Sequence, residues 1–262
     1  MTGATDELLY EVRNGIGWIT FNRPQARNAF TFAMYEGVAR ICREARAGGD
    51  VAAIVMSGAG DKAFAAGTDI GQFKHFSGAD DALAYEANGN RMMNDIERCQ
   101  VPTIAAIHGA CTGGGAAIAA ACDIRIAAAD LKYGFPIART LGNCLSNENL
   151  RRLSWLVGPA RVSEMLLTAR LIEGEEAKAI GLISEVLADK DAVIARAEEL
   201  ATRMKGHAPI TMRVTKEALR RLKSSGGVPD DHDLIVAAYT SDDFREGMSA
   251  FLEKRKPDWK GR

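Results

Sequence analysis

Three consecutive glycines, Gly113-Gly114-Gly115, constrain this chain more than any other feature of its sequence. They lie between an apolar, strand-like run at residues 103–108 and an alanine-rich, helix-like run at residues 116–122. Because glycine has no Cβ, a ligand can approach this backbone closely. The first turn of a helix also leaves its N–H groups unpaired and favours negative charge. The pattern therefore predicts a backbone site for a phosphate, a carboxylate or a developing oxyanion.

The size and charge of the chain are those of an ordinary globular protein. Its 262 residues fit one large α/β domain, or one domain with a smaller helical appendage. Lys and Arg number 33 against 34 Asp and Glu, so the net charge of −1 favours neither nucleic acid nor an anionic membrane. Residues 1–7 contain acids and match neither a signal nor a transit peptide, and the longest apolar run is too short to span a bilayer. We therefore expect a cytoplasmic protein with no membrane and no nucleic-acid partner.

The cysteine spacing predicts no metal site. No two cysteines form a CxxC pair, the usual spacing of metal-binding thiols. We expect neutral thiols in a reducing compartment. The five cysteines are Cys42, Cys99, Cys111, Cys122 and Cys144.

Hydrophobic patterning predicts an α/β fold. Asn14-Gly15 is a strong hairpin signal between strands at residues 8–13 and 16–21. Thr31 and Ser241 are predicted to cap the first and the last helix. Strands and helices alternate through the first two thirds and helices dominate after residue 147, which predicts parallel sheet units followed by a helical module. The other predicted segments are strands at residues 51–56, 103–108 and about 182–187, a further strand containing Ile124 and Ile126, a loop at 57–67, and helices at 68–76 and 82–98.

Several short motifs follow one another in a distinctive order. Together, over about residues 8–259, they resemble the crotonase superfamily, the enoyl-CoA hydratase and isomerase family. The motifs are Asn22-Arg23-Pro24 with Asn28-Ala29, Phe64-Ala65-Ala66-Gly67-Thr68-Asp69-Ile70, Ile107-His108-Gly109-Ala110 before the triple glycine, Cys122-Asp123-Ile124-Arg125, Tyr133-Gly134-Phe135-Pro136, Gly158-Pro159-Ala160, and residues 177–181 and 251–256.

The resemblance implies a fold, an assembly and a substrate class. The fold would be a spiral of ββα units over residues 1–200, with a helical C-terminal region over residues 201–262 used for trimerisation. Such proteins are usually homo-trimers or hexamers and bind acyl-CoA thioesters. No separate cofactor is implied, because coenzyme A is part of the substrate.

The resemblance also implies site residues. The family's oxyanion hole consists of two backbone N–H groups, which by motif position fall on Thr68 and Gly114. Two such donors stabilise the enolate of a thioester. Coenzyme A contacts carried over in the same way fall on Arg27, Ala66, Ile70 and Lys254. For Arg27 and Lys254 the alternative is a solvated surface charge.

The chain departs from the family pattern at the acid–base pair. Hydratases of the family activate water with two glutamates, and those positions are Ala117 and Ile137 here. Neither side chain can donate or accept a proton. The resemblance therefore does not by itself assign hydratase activity to this chain.

Other residues are candidates for moving a proton. Glu148 is the first candidate. The alternative is that Glu148 only complements the positive N-terminal end of a helix. Asp69 is interpreted as structural, since the family commonly has Asp there whatever the chemistry. His75 is a weaker candidate, because a single unpaired histidine in a loop or helix is more often incidental. His108 is expected to end a strand and pack locally.

These observations leave two classes of function open. The first is an enzyme that forms an enolate from an acyl-CoA, with isomerisation and decarboxylation favoured over hydration, and with no evident nucleophile for thioester hydrolysis. The second is a non-catalytic acyl-CoA-binding protein. A dinucleotide site is disfavoured, because the glycines do not complete a G-x-G-x-x-G pattern.

Overall fold

The computed structural model describes residues 6–74 and 77–262 of the chain, so the candidate His75 lies outside the described residues. Two sheets organise these residues. The strands are β1 (Leu8–Arg13), β2 (Ile16–Phe21), β3 (Ala53–Gly58), β4 (Ala63–Ala66), β5 (Thr103–Ile107), β6 (Ala110–Thr112), β7 (Ile124–Ala128), β8 (Lys132–Gly134), β9 (Ile172–Glu173) and β10 (Glu185–Leu187). The helices are α1 (Phe32–Glu44), α2 (Ala79–Glu97), α3 (Gly114–Ala121), α4 (Ile137–Thr140), α5 (Asn147–Val157), α6 (Pro159–Thr168), α7 (Gly174–Ala179), α8 (Lys190–Met204), α9 (Pro209–Ser224), α10 (His232–Tyr239) and α11 (Asp242–Glu253).

A structural repeat builds both sheets at once. The larger sheet has the order β1-β2-β3-β5-β7-β10 and the smaller one the order β4-β6-β8-β9. In the successive units β3-β4-α2, β5-β6-α3 and β7-β8-α4, the first strand joins the larger sheet and the second joins the smaller one. Both sets pair in parallel. This is the spiral of ββα units that the family resemblance implies.

The smaller sheet is what the hydrophobic pattern missed. Its strands β4, β6 and β8 are three or four residues long, and β4 and β6 consist mainly of small residues. Such strands are too short to display the two-residue alternation on which strand prediction depends. The predicted loop at residues 57–67 therefore contains β4, whose parallel pairing with β6 brings two motif-bearing segments together.

Local signals were reliable at the hairpin and the helix caps. Asn14 and Gly15 both take positive φ, and β1 and β2 pair antiparallel around them. The Thr31 hydroxyl accepts from the Met34 N–H, and the Ser241 hydroxyl accepts from the Phe244 N–H. Among the described helices, none has the length and apolar character needed to cross a membrane.

The helical segments after the spiral have two roles. Helix α8 packs against β3, β5 and β7 and completes a core that contains Trp18 and Val55. Helices α9 and α10 pack on each other, and α10 and α11 leave large apolar side chains in solvent. These exposed side chains include Val236, Tyr239, Met248, Phe251 and Leu252.

Candidate active site

The triple glycine forms the start of α3 and a point of close chain approach. Gly113 has φ +53°, in the left-handed region that favours glycine, and its N–H donates to the Gly134 carbonyl at 3.0 Å. A Cβ on Gly115 would lie 2.3 Å from the Ala65 carbonyl oxygen. The glycines therefore allow α3 to pack directly on β4 and to present its first turn at the junction of these two segments.

Two backbone N–H groups at this junction have no partner within the described residues. Gly114 is the first residue of α3, so its N–H has no acceptor inside the helix. Thr68 lies between Gly67, whose carbonyl accepts from Phe30, and Asp69, whose N–H donates to Phe30. The bridge to Phe30 thus uses the groups on either side of the Thr68 N–H and leaves that N–H facing the opposite way. Two such donors on one wall can stabilise a single negatively charged oxygen.

A cavity of about 350 Å³ opens in front of these donors. Thr68 and Gly114 both line it. The remaining wall is mainly apolar, with side chains from the 3-10 turn Ile70–Phe73 and from α2, α4 and the loop before α5. Apolar lining residues are Ile70, Phe73, Met92, Met93, Ala117, Phe135, Ile137, Leu141 and Leu145. The cavity suits an apolar chain attached to a carbonyl group.

Glu86 supplies the only carboxyl group among the described residues of this lining, which contain no Lys, Arg or His. It projects from the second turn of α2 and is half-buried. Desolvation raises the pKa of this carboxyl, and the Ser146 N–H that faces it acts in the opposite direction. A carboxyl with a raised pKa, in the same cavity as two unpaired N–H donors, is equipped to remove and return a proton.

The sequence reasoning missed Glu86 because its signal is weak. Residues 82–98 were predicted as a helix, but the sequence does not say which of the acids on α2 faces a cavity. Glu86, Asn90, Asn94 and Glu97 follow one another at intervals of four, four and three residues, which places them on one helix face. A polar stripe of this kind, which runs beside the buried Met93 on the same helix face, was the available signal.

The structure brings some of the predicted site residues together. Ala66, Thr68, Ile70 and Gly114 line the cavity, as do Ala117 and Ile137, the two positions to which the family resemblance assigns the hydratase glutamates. Ala117 and Ile137 therefore form part of the apolar wall. The roles assigned to Thr68, Gly114, Ala66 and Ile70 stay predictions.

Other predicted site residues lie outside the lining. The Glu148 carboxylate accepts a hydrogen bond from the Asn94 amide at 3.0 Å, near the start of α5. Arg27 is exposed, and its carbonyl accepts from the Ala66 N–H at 3.0 Å, which places it beside the lining. Lys254 is exposed at the end of α11. None of these three is among the residues that line the cavity.

The remaining candidates have structural partners. The Asp69 carboxylate accepts from Arg23 at 2.9 Å and from the Gly71 N–H at 3.0 Å, and these bonds lower its pKa. His108 is buried, and its Nε2 contacts the Gly60 carbonyl at 3.0 Å. Within the described residues, the one cluster of metal-binding side chains is an exposed group, Asp230, Asp231 and His232, which lines neither this cavity nor a second one near Trp259.

Comparison with known proteins agrees with this architecture. The family model for enoyl-CoA hydratase/isomerase matches residues 11–262, almost the whole chain. The chain belongs to the enoyl-CoA hydratase/isomerase family. Its membership of the crotonase superfamily is thereby confirmed.

Individual members of the family cover the chain from end to end. A short-chain-enoyl-CoA hydratase of Clostridium acetobutylicum is 30% identical over 259 residues, covering 96% of each chain. A 2,3-dehydroadipyl-CoA hydratase of Escherichia coli is 31% identical and covers 98% of this chain and 99% of its own. The crystal structure of an enoyl-CoA hydratase/carnithine racemase from Magnetospirillum magneticum superposes with a TM-score of 0.89 at 32% identity, covering 99% of this chain and 97% of that one. The chain is thus an enzyme-family member whose relatives are named for reactions of CoA thioesters.

Proposed function

We propose that this protein is an isomerase that moves the double bond of an enoyl-CoA thioester through an enolate. The Thr68 and Gly114 N–H groups hold the thioester oxygen, and Glu86 moves the proton. The observation that carries the proposal is a single cavity with two unpaired backbone donors and one carboxyl group of raised pKa.

One proton-transferring group is enough for this reaction. The ionised Glu86 removes a proton from C2 of a 3-enoyl thioester, and the electron pair moves onto the thioester oxygen to give a dienolate. The two N–H donors stabilise that negative charge. The protonated Glu86, whose proton can exchange with solvent, then gives a proton to C4, which leaves the double bond conjugated with the carbonyl group. Atoms and electrons balance without water or a second acid.

Hydration is supported less well. It needs one group to activate water and another to handle the second proton, and Ala117 and Ile137 occupy the positions where the family's hydratases hold these acids. Both side chains also make their part of the wall apolar. Neither side chain offers a hydrogen-bond partner to an ordered water molecule, which needs two to four of them.

Decarboxylation is disfavoured by charge. A malonyl-type substrate would bring a carboxylate into a lining whose described residues include Glu86 and no Lys, Arg or His. A buried carboxylate without a cation or several hydrogen-bond donors carries a large desolvation cost. A neutral acyl chain meets no such cost, and the apolar wall favours it.

The proposal is tested with the purified protein and 3-hexenoyl-CoA in D₂O. We expect formation of 2-hexenoyl-CoA, seen as the absorbance of the conjugated thioester, together with deuterium at C2 or C4 by mass spectrometry and NMR. Crotonyl-CoA in the same buffer should give little 3-hydroxybutyryl-CoA. Rapid hydration of crotonyl-CoA would contradict the proposed reaction, and absence of both turnover and exchange would favour the non-catalytic acyl-CoA-binding protein.

We also propose that the chain assembles as a homo-trimer or hexamer. The apolar side chains that α10 and α11 leave in solvent support this, since Phe251 and Leu252 are 84% and 78% exposed. Groups of large exposed apolar side chains often mark a protein interface. Multi-angle light scattering at micromolar concentration should give three or six times the chain mass of 28.2 kDa, and a monomer would contradict the assembly.

The coenzyme A contacts stay part of the same proposal. Ala66 and Ile70 lie on the cavity wall, where they can contact the pantetheine chain. Arg27 lies beside Ala66, so its guanidinium can reach phosphates outside the cavity. Lys254 lies at the end of α11, so it can contribute only if the coenzyme A of this subunit or of a neighbouring subunit extends to that point.

A further inference from the structure

Three hydroxyl groups form a chain beside the two backbone donors. The Tyr35 and Thr68 hydroxyls lie 2.9 Å apart, and the Thr68 and Tyr85 hydroxyls lie 3.2 Å apart. Tyr35 comes from the first turns of α1, and Tyr85 comes from α2 directly before Glu86. All three side chains lie at the wall of the cavity. None of them is used by the proton transfer proposed above.

Tyr35 contacts both chain segments that carry the donors. Its hydroxyl bonds to Thr68 on one side. On the other side, its oxygen lies 1.7 Å from the position that a Cβ on Gly114 would occupy, and so rests directly against the Gly114 backbone. The same hypothetical Cβ would lie 3.1 Å from the Thr68 hydroxyl, which shows how closely the two segments meet. A single side chain therefore contacts both residues that carry the two N–H groups.

The position of Tyr35 is fixed by its surroundings. The residue is buried, and its ring packs on Phe30 with 4.7 Å between centroids. Burial raises the pKa of the phenol, so the hydroxyl keeps its proton at any physiological pH. Thr68 is its hydrogen-bond partner among the described residues, and the Thr68 hydroxyl also bonds to the Tyr85 hydroxyl.

We propose that Tyr35 is a positioning residue that sets the spacing of the Thr68 and Gly114 N–H donors. This inference rests on the oxyanion site of the proposed function. Tyr35 acts through the two backbone groups and leaves proton transfer to Glu86. A donor pair held at the correct spacing before the reaction stabilises the enolate more than the neutral thioester, because the charge on oxygen develops only as the proton leaves.

The test is Tyr35→Phe, which removes the hydroxyl and keeps the ring. We expect kcat for isomerisation of 3-hexenoyl-CoA to fall about ten-fold, the usual size of one neutral hydrogen bond, with KM unchanged. Thr68→Val removes the other partner of the bond and keeps the backbone N–H. The double variant Tyr35→Phe/Thr68→Val should be no slower than the slower single variant, because all three lose the same bond.

A second measurement does not depend on turnover. Butyryl-CoA labelled with ¹³C at the carbonyl has no double bond to isomerise, and its carbonyl stretching frequency reports on the donors that hold the oxygen. We expect infrared difference spectra to show a lowered frequency for the bound thioester in the parent protein and a smaller shift in Tyr35→Phe. Tyr133→Phe is the matched control, since the Tyr133 hydroxyl is equally buried but donates to the Ala116 carbonyl at 3.0 Å and lies outside the cavity lining.

The outcomes separate the two proposals. No shift of the carbonyl frequency in the parent protein would contradict the oxyanion site itself, and with it the proposed function. A normal shift in the parent and an equal one in Tyr35→Phe would overturn the positioning role alone. An equal loss in Tyr133→Phe would also overturn it, because the effect would then follow from any buried phenol.

Discussion

Replacement of Glu86 by glutamine is expected to lower kcat for double-bond isomerisation by roughly 100-fold or more, the usual contribution of a positioned acid–base group. Glutamine preserves the shape of the side chain but can neither remove nor return a proton. Because Glu86 is the only carboxyl among the described lining residues, no neighbouring acid can take over its role. Substrate binding should change little, since the amide leaves the apolar wall and the two backbone donors intact. Rate assays with 3-hexenoyl-CoA measure the overall isomerisation, and exchange of the C2 proton in D₂O measures the proton removal by itself.

Glu148→Gln is the matched control for this variant. It makes the same chemical change on a carboxylate that accepts from Asn94 and does not line the cavity. We expect its kcat to stay within about two-fold of the parent, because a partly exposed hydrogen bond of this kind contributes little. If Glu148→Gln lost activity and Glu86→Gln kept it, Glu148 would be the proton carrier, as the sequence first indicated.

The pH profile gives an independent check on Glu86. The base must be ionised, so kcat/KM should fall as the pH drops through the pKa of this carboxyl. Desolvation raises that pKa above the ordinary value of 4.5, so the acid limb should lie above 4.5 in the parent and disappear in Glu86→Gln. The stability effect has the opposite sign. The folded protein binds the proton more tightly than the unfolded chain, so the contribution of Glu86 to stability is lost as the pH rises through its raised pKa.

Arg152→Met is expected to lower the free energy of unfolding by about 3 kcal/mol, the lower end of the range for breaking a buried ion pair on one side. Arg152 is 1% exposed, and its guanidinium bonds to both carboxylate oxygens of Glu97 at 2.7 and 3.3 Å. Burial alone would raise the pKa of Glu97, but Arg152 and Lys223 together lower it. Removing Arg152 leaves this buried carboxylate with Lys223 as its cation, which is why we expect the lower end of the range.

Arg152→Met should also remove a hydrogen bond that holds one side chain of the cavity lining in place. The Arg152 guanidinium donates to the Asn149 side chain at 2.7 Å, and Asn149 lines the cavity.

Urea denaturation at fixed protein concentration measures the loss of stability in Arg152→Met, and Arg161→Met is the control. Arg161 pairs with Glu164 in solvent, so its loss should cost at most about 1 kcal/mol. Equal midpoints for the two variants would show that the buried pair contributes no more than a surface one.

Local sequence signals predicted the parts of this protein that depend on a few neighbouring residues. Asn14-Gly15 predicted a hairpin because both residues tolerate positive φ. Thr31 and Ser241 predicted helix starts because each hydroxyl accepts a hydrogen bond from the backbone N–H three residues further along the chain. The motifs around Thr68 and Gly114 indicated the family, which the comparisons confirm. The absence of acids at positions 117 and 137 could also be read directly from the chain.

Local sequence signals could not predict contacts between residues that lie far apart in the chain. The triple glycine could be explained as a site for a ligand, but Gly115 also lets α3 pack on the Ala65 carbonyl, which depends on the parallel pairing of β4 and β6. A Cβ at Gly114 would collide with the hydroxyl of Tyr35, 79 residues away in sequence, so Gly114→Pro would test packing as well as the loss of the N–H.

The sequence by itself determined the family, the triple-glycine motif and the absence of acids at positions 117 and 137, because each is a property of residues at fixed chain positions. Only the tertiary structure decided that Glu86 faces the cavity while Glu148 bonds to Asn94 outside it. Both acids lie on helices, Glu148 in the first turn of α5 and Glu86 further along α2, and each is a plausible proton carrier when the helices are considered separately. The packing of α2 against α3 and α5 selects between them, since helix rotation and contact are set by interactions far apart in the chain rather than by local propensity.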